Sequence, residues 1–139
     1  MNNAIIILML YIIPFATSFA SADTSQIENA RLSLKNYGLV NCLYYGLIKE
    51  QDIKVEDIGR SSGIFGPTGQ GYYNLLQDDN LNILHNPYKT ISDFIKKNRE
   101  LVSAKIKDGT VNLTYQCLEV FNSSEYSILI ERQDYYINK

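Results

Sequence analysis

One histidine, His85, two cysteines, Cys42 and Cys117, and the adjacent aspartates Asp78–Asp79 are the residues whose type and placement could carry a reaction. A thiol nucleophile needs a base and a third group to orient that base. Neither cysteine is flanked by a nucleophile signature. Side-by-side carboxylates point in different directions more often than they converge, and a lone histidine in a turn is more often a surface residue. One histidine with two cysteines is too few for a histidine-rich metal site or a zinc cluster. Gly59, Gly63, Gly66, Gly69 and Gly71 fall within thirteen residues, with Pro67 among them. A phosphate-cradling loop would need a following Lys-Ser or Lys-Thr and a preceding strand, and Gly69-Gln70-Gly71 lacks the later glycine of a dinucleotide fingerprint. The cluster instead marks a bend or a close backbone approach. No catalytic residue is assigned, and no cofactor or metal is expected.

The elements that must position these residues follow an unusual leader. The chain has 139 residues, 13 basic against 15 acidic, so its near-neutral balance speaks against nucleic-acid binding and against a disordered tail. Residues 1–22 carry no charged side chain. Ala4 to Phe15 is an unbroken apolar run, shorter than the ~20 residues that span a bilayer. Pro14 and small residues follow, ending in Ala20-Ser21-Ala22, the pattern cut by signal peptidase. Residues 1–22 are therefore predicted to be a signal peptide, leaving 23–139 as one domain. A cut after Ala20 and a retained membrane anchor are the alternatives. In an oxidising compartment an even cysteine count points to pairing, and only Cys42 to Cys117 is possible. That bond would close a loop of about 75 residues and stabilise a small core by roughly 4 kcal/mol. Two buried free thiols, or a catalytic thiol near His85, are the other readings.

Ser25-Gln26-Ile27-Glu28 has capping-box form. Ile27, Ala30, Leu34, Tyr37, Tyr45 and Ile48 recur near 3.6 spacing, which predicts a helix to about Ile48. Val55 and Ile58 begin a second helix after Asp52 that runs into the glycines. Tyr72, Tyr73, Leu75 and Leu76 read as a short helical patch, and Gln77 to Pro87 as a loop. Thr90 is the expected cap of a helix carrying Ile91, Phe94, Ile95, Leu101 and Val102, with Lys105 to Gly109 as its end and turn. Val111, Leu113, Tyr115 and Cys117 alternate like a strand, while Val111, Tyr115, Leu118 and Phe121 suit one helical face. A lone strand would lack a partner, so helix is favoured. Asn122 to Glu125 permits a break before a terminal helix. The sum is an all-α, compact bundle of about four to six helices with one intramolecular disulfide.

Three segments of the chain resemble a known family, the immunity proteins of type VI secretion amidases. Asn36-Tyr37-Gly38-Leu39-Val40-Asn41-Cys42-Leu43 is similar to its tyrosine-to-cysteine segment. Asp57-Ile58-Gly59-Arg60-Ser61-Ser62-Gly63-Ile64-Phe65-Gly66, followed by Tyr72 and Tyr73, is similar to its acidic, glycine and aromatic stretch. Leu113 to Ser123, with Cys117 before Phe121, resembles its late segment. Gly63 is followed by Ile64 where the family carries paired glycines, and the Gly66-to-Gly71 insert is longer.

The resemblance implies a disulfide-stabilised, all-α periplasmic homodimer. Its partner would be a peptidoglycan amidase of the cysteine–histidine type, whose cleft a protruding loop would fill, with no catalysis by this chain and no membrane contact once the leader is removed. Two loops are candidates for that contact. One is Lys105–Thr110, with Lys105, Lys107, Asp108 and Gly109. The other holds Asp78, Asp79, Asn82 and His85. A plain surface turn is the alternative for each. Ten tyrosines beyond residue 22 suit interface anchoring as well as a tryptophan-free core. A small helical domain binding a ligand in its core, and a secreted hydrolase using His85 or Asp78–Asp79, are the competing functions.

Overall fold

Every fourth residue of the first helix faces the interior, and the rest of the fold is built against that face. The structure, a computed structural model, describes residues 24–50 and 56–138. The predicted leader and the segment between the first two helices lie outside them. Helix α1 (Thr24–Tyr44) continues as a wider π turn over Tyr45–Glu50, close to the predicted end at Ile48. Ala30, Leu34, Gly38 and Cys42 are buried along it at four-residue steps, one face of a 3.6-residue helix. At Gly38 a Cβ would lie 2.0 Å from the Tyr126 hydroxyl and 2.6 Å from Ile91 Cγ2, so glycine is required for the approach. Tyr126 is fully buried, and its hydroxyl donates to the Lys35 carbonyl at 3.0 Å.

Helix α2 (Glu56–Phe65) opens with Glu56 and Asp57, which complement the positive helix N-terminus. Gly59 and Gly63, expected at a bend, lie inside this helix. Docking onto α1 outweighs their poor propensity: Gly59 sits against the Tyr44 ring, and Asn41 donates to Ser62 Oγ at 2.9 Å. The turn proper is confined to Gly66–Gly71. There Gln70 N reaches Ile64 O at 2.8 Å, and a Cβ on Gly69 would meet Ile64 O at 2.1 Å.

Three expectations are corrected in the middle of the chain. The predicted helical patch at Tyr72–Leu76 is extended. Tyr73 forms an antiparallel bridge with Ile137, Asn74 N donates to Tyr136 O, and Asn138 N donates to Tyr72 O, both at 2.8 Å. The predicted loop at Gln77–Pro87 is a small hairpin of β1 (Leu76–Gln77) and β2 (Ile83–His85), which pair antiparallel as Leu76 with His85 and Gln77 with Ile83. The molecule is therefore mostly helical with a two-stranded sheet. Thr90 is not a cap: α3 (Pro87–Arg99) starts a turn earlier, where Asn86 Oδ1 accepts from Lys89 N at 3.0 Å and Pro87 takes the position that needs no N–H.

Helix α3 ends at Arg99, short of Leu101 and Val102, and Leu101 stands 78% exposed. Asn112 caps α4 (Leu113–Phe121), so 113–117 is helix, as favoured, and Val111 is extended. Ser123 caps α5 (Ser124–Glu131), and a 3-10 turn at Asp134–Tyr136 leads into the C-terminal bridge. Arg31 on α1 holds that turn, donating from Nε to Asp134 Oδ1 at 3.0 Å. Cys42 and Cys117 are bonded (Sγ–Sγ 2.04 Å), with both side chains fully buried. The core joins α1, α3, α4, α5 and the C-terminal segment through Leu34, Ile91, Ile95, Leu113, Val120, Tyr126 and Ile130.

Candidate functional site

The loop after α3 is a turn built to keep its shape while standing in solvent. Every residue from Lys105 to Asn112 is exposed. A bridge pairs Lys105 with Val111, Ile106 N donates to Thr110 O, Gly109 N to Ile106 O, and Asn112 N to Ala104 O, the last three at 2.9 Å. Asp108 Oδ1 accepts from Thr110 N at 2.9 Å and from Thr110 Oγ1 at 2.7 Å. Those bonds favour the ionised carboxyl and hold it below the usual carboxylate range. Gly109 has φ +83°, and nothing lies within 4 Å of where its Cβ would stand. The conformation, not crowding, requires glycine there. Lys107 is an exposed residue of the same turn.

This turn displays apolar side chains as well as charge. Ile106 is 50% and Val111 45% exposed, and on α4 Tyr115 and Leu118 are also exposed. Of the helical face expected over Val111, Tyr115, Leu118 and Phe121, Tyr115 and Leu118 lie exposed on α4, Val111 lies in extended backbone before its cap, and Phe121 is partly buried against the core. Tyr115 and Leu118 face out, because Cys117 is bonded to Cys42 and turns Leu113, Gln116 and Val120 inward with it.

The second candidate loop is the tip of the β1–β2 hairpin. Asp78 Oδ1 accepts from Asn80 N at 2.9 Å and Asn82 N at 2.8 Å, and its Oδ2 from Asn82 Nδ2 at 2.9 Å. The Asn82 bonds, first from its side chain, hold the Asp78 carboxyl low. Asp79 is exposed beside it. Leu81 (φ +63°) is 74% exposed, with Ile83 and Leu84 also exposed on the second strand. His85 is engaged elsewhere. Its Nε2 lies 2.8 Å from Oε1 of buried Gln133, and its ring stacks on Tyr136 at 4.1 Å between centroids. It fastens the hairpin to the C-terminal turn. Cys42 and Cys117 are bonded to each other, which removes the catalytic-thiol reading. Among the described residues no three His, Cys, Asp or Glu side chains are grouped to hold a metal ion.

The two loops lie beyond opposite ends of α3 in the chain, a helix of 13 residues about 20 Å long. The structure therefore does not bring Asp78, Asp79 and His85 together with Lys105, Lys107, Asp108 and Gly109. Sequence reasoning missed Val111, Tyr115 and Leu118 as outward-facing, and Leu81, Ile83 and Leu84 as exposed. The available signal was Ile106 itself, an apolar residue inside the polar turn Lys105-Ile106-Lys107-Asp108-Gly109. No helix among the described residues is long and apolar enough to cross a membrane. Set against known proteins, the chain matches no family model, no curated protein and no solved structure.

Proposed function

We propose that this protein is an inhibitory binding partner: an exported immunity protein, homodimeric in the periplasm, that occludes the cleft of a type VI secreted peptidoglycan amidase of the cysteine–histidine type. The observation that carries this reading is the braced turn at Lys105–Asn112. Binding is weakened by the cost of ordering flexible groups, so a projecting segment already fixed by its own bonds retains more of its contact energy. Ile106 on that turn, with Lys105, Lys107 and Asp108 around it, offers an apolar anchor inside a charged rim. The disulfide is compatible with an oxidising compartment, and the charge-free 1–22 segment agrees with export.

The test uses a purified type VI secreted peptidoglycan amidase of the cysteine–histidine type. Purified protein is incubated with it and with peptidoglycan, and soluble fragment release is followed. Equimolar protein is expected to abolish release and to shield the amidase's catalytic cysteine from an alkylating reagent. Undiminished release and unchanged alkylation would overturn the reading.

A further inference from the structure

A furrow runs along the outer side of α3 between the two loops. It starts at Ile83 and Leu84 on the hairpin and passes Thr90 and Asp93. It then widens to about 530 Å³ beside Phe94, Lys97 and Leu129. Its last hollow lies between Leu101, Val102 and the start of α5, with Glu119 and Glu125 in its lining. Consecutive hollows share Thr90 with Asp93, then Phe94 with Asn98, so they adjoin one another along α3. Thr90, Phe94 and Lys97 lie along one side of α3 and cover about 10 Å of its length, with Leu101 just beyond its end.

We propose that this furrow receives an amphipathic helix of a partner protein, apolar toward Phe94 and Leu129 and basic at the end lying against Glu119 and Glu125. Three features define the occupant. Apart from β2 at the hairpin end, the walls are helices whose backbone groups are already bonded internally, so over the stretch beside Phe94 and Leu129 they offer no ladder to an extended peptide. A helix brings its own backbone bonds and packs ridge into groove. The neutral polar side chains lining the furrow are turned to the protein itself: Asn98 Nδ2 donates to Phe94 O and Ser123 Oγ to Val120 O, both at 2.8 Å, which leaves little to orient a polar small molecule. The charge is polarised along the furrow. At the hairpin end Asp93 is neutralised by Lys89, whereas both carboxylates at the far end are exposed and Lys97 stands between. A basic helix end, or a helix N-terminus, complements that far end. This inference stands without the inhibitory reading, since it specifies the helix and not the enzyme that carries it.

The probe is a synthetic helical peptide of about twelve residues, with leucines along one face and lysines in one terminal turn. Its control carries glutamate at each lysine. Backbone amide shifts of the whole protein are followed on titration. Shifts centred on Thr90, Phe94, Asn98 and Leu129, with binding about ten-fold weaker for the control peptide, are the expected result. The double variant Glu119→Lys, Glu125→Lys, altered only at exposed positions, should reverse the preference between the two peptides. No saturable shifts, shifts centred elsewhere, or equal binding of both peptides would overturn the proposal. So would furrow shifts that grow with protein concentration alone, because the occupant would then be a second copy of this chain.

Discussion

Gly109 and Asp108 show how a single residue holds an exposed turn in one shape. Gly109 stands at φ +83° with open space where a Cβ would go, so Gly109→Ala tests backbone strain without a clash. The left-handed region disfavours a side chain by about 1 kcal/mol, and the variant should lose that much in urea unfolding. Asp108 and Asp78 contribute through hydrogen bonds their carboxylates accept, which hold both below the ordinary 3.8. A carboxyl with a depressed folded pKa stabilises only while ionised. The support is complete above about pH 4 and is lost as pH falls through the lowered values. The amide signals of Thr110 and Asn82 should therefore move together with acidification below about pH 4, and amides indifferent to that range would contradict the assignment. These roles were legible in part, since Asp108-Gly109 and Asp78-Asp79-Asn80 read as turns from their residue types. His85 was not: its partners, Gln133 and Tyr136, lie about fifty residues away, beyond any local pattern.

At the scale of elements, most helices were read from their own spacing, and the misses came from an ambiguous local signal or from a distant segment. The α1 stripe and the break over Asn122–Glu125 before α5 were evident. The start of α3 was misplaced because Asn86-Pro87 looked like the end of a loop, when the same pair forms an N-cap followed by the favoured first-turn proline. Tyr72–Leu76 has helical spacing, but its backbone bonds go to Tyr136 and Asn138 at the other end of the chain. Gly38 makes the conflict between local and long-range preference measurable. By helix propensity alone, Gly38→Ala should stabilise α1 by about 1 kcal/mol. In the fold the new methyl collides with Tyr126 and Ile91, so the variant should instead lose about 2 kcal/mol or more. A raised melting temperature for Gly38→Ala would show that the close approach has been misjudged.

For the whole molecule, the Cys42–Cys117 bond fastens the long first helix to α4 and, through the orientation of α4, decides which residues face solvent. It closes a separation of 75 residues, worth about 4 kcal/mol by chain entropy, a large part of a small domain's stability. The double variant Cys42→Ala, Cys117→Ala should unfold at much lower denaturant, and reductant should have no further effect on it. That pairing was readable from the cysteine count. The outward apolar rim of Ile106, Val111, Tyr115 and Leu118 was not, because spacing tells which residues share a face but not which way the face points. The inhibitory reading rests on the braced turn that carries Ile106 and is tested most directly by titrating an amidase digestion of peptidoglycan with wild type and with Ile106→Asp. Ile106 is half exposed, so the variant should fold as wild type does. The expected result is stoichiometric inhibition by wild type and a loss of about 2 kcal/mol, roughly thirty-fold in affinity, for the variant. Equal potency of the two proteins, or inhibition by neither, would contradict it.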